Sequence, residues 1–155
     1  MANKFGKIIS KVNRMPRFMR SFLLTKIFCS TVKYAGTSSI KLISVSHTKA
    51  VLSLENKKKV QNHIGGVHAI AAALLAESAT GIVFGMNVPD TCVPLLKSMT
   101  FHFQRRMQGN LSAVAVLSLA DIEQIENSVS VEITDESDQQ PIVCEMEWAW
   151  VTKRR

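Results

Sequence analysis

The sequence predicts an α+β protein in which an antiparallel sheet wraps around one long buried helix. Residues 67–84 are apolar or small on every side, with alanines between the larger side chains, which is typical of an interior helix. Strand-like runs lie on both sides of this segment, two before it and four after it. The last four follow one another with turn signals between them, a pattern that favours an antiparallel meander.

The elements are predicted in chain order as follows. Residues 15–34 are dense in apolar side chains and read as one helix, and residues 56–66 form a polar loop with a lysine run and a glycine pair. The buried helix ends at Gly85, with Pro89 just beyond it. Residues 120–127 fit either a helical turn or a loop, and residues 134–141 fit a hairpin connection rich in acids and Gln. Strands are predicted at residues 40–47, 49–55, 93–104, 110–119, 128–135 and 142–152.

The chain length of 155 residues predicts a single domain over residues 1–155, with a basic helical segment at 1–35 and the core at 36–155. The formal charge of +7 is unevenly distributed. Residues 1–54 hold ten Lys or Arg and no acid, whereas the rest hold nine basic and twelve acidic residues and sum to −3. The basic segment is interpreted as a helix that packs on the domain. The alternatives are targeting, or attraction to a membrane, a nucleic acid or another polyanion.

Composition and cysteine usage restrict the class of protein further. Hydrophobic residues make up 46% of the chain and charged residues 20%, which excludes a disordered or fibrous protein. The uncharged stretches are far shorter than the roughly 20 apolar residues that span a bilayer. Cys29, Cys92 and Cys144 have no paired spacing, so we expect free thiols in a reducing cytoplasm. His63 and His68 lack metal-ligand spacing, and no metal is predicted.

Glu77 is the first candidate for chemistry. It is the only charged residue between Lys59 and Asp90, and it lies midway along the apolar helix. Burial there would disfavour the ionised carboxylate and raise its pKa toward the range of a general base or nucleophile. The alternative is a structural Glu bonded to a neighbouring group. No basic residue lies three or four positions away, so a helical ion pair is excluded.

The start of the helix is the second candidate. Residues 62–68 form a loop containing Gly65 and Gly66 that leads into the helix N-terminus. Free backbone N–H groups at such a terminus suit a developing oxyanion. The alternative is a plain tight turn that Asn62 caps.

The spacing between the two candidates has a consequence for assembly. His68 and Glu77 are nine residues apart, which is about 900° of rotation and roughly 13.5 Å of rise on a helix. They therefore point to opposite sides and cannot share one substrate carbonyl within a subunit. Either their roles are unrelated, or a symmetric dimer brings Glu77 of one chain to the helix start of the other.

The pattern Asn62-x5-His68-x8-Glu77 resembles that of hotdog-fold thioesterases related to the phenylacetate-pathway and 4-hydroxybenzoyl-CoA enzymes, and the strand order agrees over residues 35–152. The closest likeness is to a branch in which His-Ala replaces His-Gly. The resemblance implies a hotdog fold, a homodimer or dimer of dimers, and hydrolysis of an acyl-CoA or other acyl thioester, with no cofactor beyond the CoA of the substrate.

The same resemblance implies roles for individual residues. Glu77 would act as general base or nucleophile, and the backbone N–H of Ala69 would polarise the thioester carbonyl. Asn62 would hold the attacking water or the carboxylate, and His68 would position the loop. The substrate-binding residues implied are Gly65 and Gly66 of the loop and, for the CoA phosphates, Lys57, Lys58, Arg105 and Arg106. The lysines and arginines could equally be solvated loop charges.

The sequence also departs from the family pattern. Ala69 replaces a Gly after the His, and Gly81 stands four residues after Glu77, where relatives often carry a Thr that orients the water. The polar residue usual on the next strand is not obvious, with Ser98 and Thr100 as candidates. Three alternatives to hydrolysis therefore remain: a non-catalytic acyl-CoA-binding protein, a hotdog dehydratase or hydratase, and a membrane or nucleic-acid binder using the basic N-terminus.

Overall fold

The structure is a computed structural model that describes residues 3–118 and 126–153. The helices are α1 (Lys4–Asn13), α2 (Arg17–Thr31), α3 (Lys33–Thr37) and α4 (Ala69–Gly85), and a short 3-10 turn covers Lys58–Val60. The strands are β1 (Ile40–Val45), β2 (Lys49–Leu54), β3 (Cys92–Phe103), β4 (Leu111–Val116), β5 (Glu126–Ser128), β6 (Ser130–Asp135) and β7 (Ile142–Thr152).

Within the described residues, the strands form one antiparallel sheet in the order β1-β2-β4-β6-β7-β3, and β5 adds a short pairing to β7. Helix α4 packs against β1, β2, β3, β4, β6 and β7, so the sheet curves around it. This arrangement confirms the predicted α+β hotdog fold with one long central helix.

Helix α4 is buried because its inward positions are small. Ala72, Ala76 and Ala79 have no exposed surface, and their short side chains allow the sheet to approach the helix closely. Only a narrow stripe of the helix stays partly open. It runs at helical spacing through Ile70, Leu74, Glu77, Gly81 and Gly85.

One edge of the sheet, at β1, is covered by α2. The Ser21 hydroxyl donates to the carbonyl oxygen of Leu42 at 2.7 Å, and the Leu42 N–H donates to Thr25 Oγ1 at 2.9 Å. Two side chains of α2 therefore bond to strand-edge groups that a neighbouring strand would otherwise engage.

The opposite edge, at β3, is open. This twelve-residue strand pairs with β7 along one side, and no other described strand pairs with its second side. Its side chains are unusually apolar for their exposure, with exposed fractions of 38% at Val93, 51% at Leu95, 51% at Met99 and 49% at Phe103. The register against β7 puts Met99 and Phe103 on the same face as buried Met146 and Ile142.

The N-terminal prediction was partly wrong. The single helix expected over residues 15–34 is broken into α2 and α3, and α1 precedes them. Pro16 precedes the first turn of α2, and Val32 leaves the helical region at φ −101° and ψ 84°, which divides the segment. For residues 120–127, the part up to residue 125 lies outside the described residues, and the remainder belongs to β5. None of the described helices has the length and apolarity needed to cross a membrane.

Candidate functional site

Glu77 lies midway along the open stripe of α4 and is half-buried. Burial raises the pKa of its carboxyl group above the ordinary value, while the neighbouring Ser78 side chain acts in the opposite direction. The first effect is larger, as the apolar setting of the helix predicts. The carboxylate is therefore a stronger base than an exposed glutamate, which is the property that proton abstraction from water requires.

Ser78 is a site residue that the sequence did not reveal. Its side chain is buried, at 2% exposure, and within the described part of the chain its Oγ makes no hydrogen bond of ordinary geometry, although it lies close enough to the Glu77 carboxylate to lower the pKa of that group. An unsatisfied buried hydroxyl is unfavourable, so it is expected to engage a ligand or water. The only sequence signal was its position directly after the lone carboxylate, and serine is too common in helices for that to stand out.

A cavity of about 480 Å³ opens beside these two residues. It runs from Glu77 and Ser78 along the C-terminal half of α4, and its wall is mostly apolar. The N-terminal helices contribute to it as well, through Phe5 of α1 and Phe28 of α2. Its other apolar lining residues include Ile82, Val88, Val93, Pro94 and Trp148.

The loop before α4 is organised by Asn62. Its Oδ1 accepts from the N–H groups of Ile64 and Gly66, both at 3.1 Å, and its backbone N–H donates to the Gly66 carbonyl at 2.8 Å. Gly65 adopts φ +75°, a conformation that favours glycine. The Asn62 side chain therefore holds the loop itself; its predicted contact with a water or carboxylate stays a prediction.

The start of α4 leaves one backbone donor free. His68 is the N-cap, and its Nδ1 accepts from the N–H of Ile70 at 3.1 Å, while its carbonyl accepts from Ala71 and Ala72. The His68 side chain therefore caps the first turn of α4. The N–H of Ala69 has no acceptor among the residues that the structure describes. It is the helix-start donor predicted for an oxyanion.

The basic residues near this loop differ in their availability. Arg106 donates through its guanidinium to the carbonyl of Ile64, which keeps it against the loop. Arg105 is engaged elsewhere, since it forms an ion pair at 3.0 Å with the fully buried carboxylate of Asp135. Lys57 pairs with Glu55, and Lys58 is exposed. Among the described residues, Arg105 and Lys57 therefore have a carboxylate partner, and Arg106 and Lys58 do not.

Asp135 shows why Arg105 is engaged. Burial alone would raise the pKa of the Asp135 carboxyl, but hydrogen bonds from Arg105, Ser137 and the backbone N–H of Gln108 outweigh it and hold the pKa well below its usual range. A buried carboxylate that stays ionised needs its cation, so this pair is part of the scaffold.

The structure brings together Asn62, Gly65, Gly66, His68, Ala69 and Arg106 at the N-terminus of α4. Within the same chain, Glu77 lies eight residues beyond Ala69, about 12 Å along the helix axis. One chain therefore carries the two halves of the predicted site at separate places.

Strands β3 and β7 determine the positions of the polar candidates on β3 and the surroundings of Gly81. A register shift between Leu96 and Ser98 puts Ser98 opposite Glu147, on the outer face of the sheet, where its hydroxyl donates to that carboxylate at 2.7 Å. Thr100 lies on the same outer face, opposite Glu145, so within one chain neither candidate for the polar residue of this strand is on the sheet face that packs against α4. Gly81 is covered by Trp148, whose indole N–H donates to Thr80 Oγ1 at 3.0 Å.

The cysteines and acids of the described residues give no metal-binding group of three or more ligands. Cys29, Cys92 and Cys144 are free thiols. Burial raises the pKa of Cys144 to about 11, so its thiol is not activated as a nucleophile.

The family model that matches the chain is described as a domain of unknown function (DUF4442), and the match covers residues 20–151. Comparison with curated proteins finds no match.

Solved structures with the same fold are similar over most of the chain. The crystal structure of genomics APC5556 is 19% identical at a TM-score of 0.79, and the alignment covers 97% of this chain and 100% of that one. PA5026 of Pseudomonas aeruginosa, a protein of unknown function named as a probable thioesterase, is 22% identical at a TM-score of 0.74. The alignment covers 84% of this chain and 95% of that one. Thioesterase HI1161 of Haemophilus influenzae is 13% identical at a TM-score of 0.72, and the alignment covers 83% of this chain and 88% of that one. At these identities the likeness shows the fold.

Proposed function

We propose that this chain, which belongs to the DUF4442 domain family and has the hotdog fold, hydrolyses an acyl thioester such as an acyl-CoA at a site shared between two subunits. The observation that carries the proposal is the Glu77 carboxylate beside the unsatisfied Ser78 hydroxyl at one end of the apolar cavity. A base, a hydroxyl able to orient water, and an acyl-sized apolar space are what thioester hydrolysis requires.

The reaction assigns a separate task to each group. Ionised Glu77 takes a proton from a water molecule, and the water oxygen attacks the thioester carbonyl carbon. The N–H of Ala69, from a second copy of the chain, donates to the oxyanion that forms on the carbonyl oxygen. Collapse of the tetrahedral intermediate breaks the carbon–sulfur bond and releases the carboxylic acid, and protonated Glu77 returns its proton to the departing thiolate, which leaves as the thiol.

A dimer is proposed because one chain carries the two halves of the site at separate places. The open edge at β3 offers the surface for it, since apolar side chains such as Met99 and Phe103 stay half-exposed there. A second copy packed against this edge would cover them. A symmetric dimer then contains two identical sites, each with Glu77 from one chain and the helix start from the other.

The ends of the substrate are expected at different places. The acyl group occupies the cavity beside Glu77, where Phe28 and Trp148 contribute apolar wall. The phosphates of CoA lie near Arg106, which donates to the loop that precedes α4, and near Lys58 on the 3-10 turn before that loop. The free thiols are the reason to propose a reducing, cytoplasmic location for the protein.

The test is thiol release from a panel of acyl-CoAs, from acetyl to palmitoyl and including phenylacetyl, with wild type compared with Glu77→Gln. Removing a general base is expected to lower kcat by roughly 10²–10⁴-fold. Ser78→Ala is expected to lower kcat less, because the base remains. Glu145→Gln, an exposed carboxylate on the outer face of β7, is the matched control and should retain full activity.

Measurable binding of acyl-CoA by the wild type without thiol release from any member of the panel would contradict hydrolysis. It would assign the protein to the ligand-binding class. Release of thiol that is unchanged in Glu77→Gln would instead remove Glu77 from the mechanism.

A further inference from the structure

We infer that the outward face of α2 is a docking surface for an anionic lipid bilayer. The surface consists of Phe18, Phe22 and Lys26, with Met15 just before the helix, and is called the α2 ridge below. Phe18 is 83% exposed and Phe22 is 67% exposed, in a chain whose other phenylalanines are at least half covered. Two such rings in water are unfavourable unless another surface covers them.

The ridge is continuous because of helical spacing. Phe18, Phe22 and Lys26 are each four residues apart, so they follow one line along α2. The buried residues Leu24 and Phe28 lie on the other side of the helix, against the core. The inner side of α2 is thus used for packing, and its outer side is left without a partner among the described residues.

The charged residues around the ridge indicate which kind of partner binds there. Residues 1–54 hold ten Lys or Arg and no Asp or Glu. Lys26 is exposed on the line of the two phenylalanines, Arg17 is exposed at the first turn of the same helix, and Arg14 is exposed in the turn before it. Exposed apolar rings with cations close by on the same helix are a composition that binds at the interface of anionic membranes.

A bilayer fits this surface better than a peptide or a nucleic acid. The ridge is the convex side of a single helix, and a bound peptide usually needs a groove. Nucleic-acid binding would require the phenylalanine rings to stack on unpaired bases. Rings aligned along one helix ridge can instead enter a bilayer together, at the boundary between its headgroups and acyl chains.

The location of α2 connects this surface with the cavity. Phe28, Thr31 and Val32, at the end of the same helix, line the cavity beside Glu77. Long-chain acyl thioesters partition into bilayers, so a protein held at the surface would meet them there. This link rests on the proposed function, whereas membrane binding does not depend on it.

The test is cosedimentation of the full chain with vesicles of phosphatidylcholine alone, or of phosphatidylcholine and phosphatidylglycerol in equal amounts. Wild type is expected to bind the anionic vesicles and to be released as salt increases. Phe18→Ala with Phe22→Ala, and separately Arg17→Glu with Lys26→Glu, are each expected to weaken binding by roughly tenfold or more.

Matched controls separate the effect of the ridge on binding from the effects of any exposed aromatic ring and of net charge. Tyr34→Ala removes another exposed aromatic ring, and Lys49→Glu with Lys59→Glu makes the same change in net charge elsewhere. Both should bind the anionic vesicles as wild type does, apart from a small uniform loss in the charge control. Because all the altered side chains are exposed, thermal unfolding should confirm that each variant folds.

Three results would overturn the inference: no binding to anionic vesicles, equal binding by the ridge variants and their controls, or binding to a DNA or RNA probe but not to vesicles. No substrate enters these measurements. A protein that fails to hydrolyse acyl-CoA can therefore still pass this test, and an active enzyme can fail it.

Discussion

The two edges of the sheet are treated in opposite ways. At β1, side chains of α2 bond to the strand edge, with Ser21 donating to the Leu42 carbonyl and Thr25 accepting from the Leu42 N–H. At β3, a longer strand is left open, and apolar side chains such as Met99 and Phe103 are about half exposed. The β1 edge is complete within one chain, and the β3 edge is not.

The difference between the two edges does not arise because the chain lacks a helix that could cover an edge strand. The fifteen-residue helix α2 covers the shorter edge strand, which is six residues long, while no helix among the described residues covers the edge of the twelve-residue strand. Glu77 lies on the stripe of α4 that stays partly open. Protection at β1 and exposure at β3 are thus consistent with one edge built for stability and the other for assembly.

The largest effect is expected from a charge at the open edge. Met99→Lys places an ammonium group where the second copy is proposed to pack, and should weaken the dimer by 100-fold or more, since an unpaired buried charge costs about 3–5 kcal/mol. Sedimentation should show monomer, and hydrolysis should fall with it. The matched variant is Ile43→Lys on β1, where an equally apolar side chain is 47% exposed.

Ile43→Lys should leave the oligomeric state unchanged. Equal dissociation in both variants would mean that the edges do not differ, and a dimeric, active Met99→Lys would exclude β3 as the interface.

A smaller effect is expected at the closed edge. Thr25→Val keeps the shape of the side chain but leaves the Leu42 N–H without an acceptor, so the free energy of unfolding should fall by about 1–3 kcal/mol. Thr31→Val on the same helix removes a bond to the carbonyl of Ile27 within the helix, at an exposed position, and should change stability much less. Urea unfolding measures both. Equal stability of the two variants would show that the Thr25 bond does not hold α2 on β1.

The smallest effect concerns two carboxylates and the pH dependence of stability. Burial raises the folded-state pKa of Glu77, so its ionised form destabilises the fold above that pKa, and the cost disappears as pH falls below the unfolded pKa of about 4.3. Glu77→Gln should therefore be more stable than wild type at pH 8, with the difference vanishing near pH 4. Thermal unfolding across this pH range measures it.

Glu55, near the closed edge, provides the control of opposite sign. Hydrogen bonds from Lys41 and Lys57 hold the pKa of its carboxyl at about 2, so any stabilisation is present at neutral pH and is lost as pH falls below about 4.3 toward 2. Because this carboxylate is exposed, the effect of Glu55→Gln should be small and should decrease in high salt. A Glu77→Gln variant with the pH dependence of Glu55→Gln would contradict the assigned burial effect.

Much of the fold could be predicted from local sequence pattern. The central helix was expected at residues 67–84 and is Ala69–Gly85, because a long small-and-apolar segment permits only a buried helix. The final strand, at residues 142–152, was predicted at its observed bounds. The breaks at Pro16 and Val32 were missed, since the apolar density of residues 15–34 continues across them.

The candidate site was less predictable because it depends on contacts distant in sequence. Glu77 was noticed as a lone charge, and the raised pKa of its carboxyl agrees with that reading. The engagement of Arg105 with Asp135, thirty residues away, could not be inferred from a run of two arginines. The outward direction of Ser98 depends on a register shift in β3 that has no sequence signal.

The contact between Gly81 and Trp148 constrains how this chain can change over evolutionary time. A Cβ atom at position 81 would lie 2.7 Å from the Trp148 ring, so no larger residue fits while the indole is present. A side chain at position 81 therefore requires a change at Trp148, and replacing Trp148 by a smaller residue removes the indole bond to Thr80. Substitutions at the two positions are therefore expected to be non-additive, because a variant with a smaller residue at 148 and Gly at 81 has a cavity in its core.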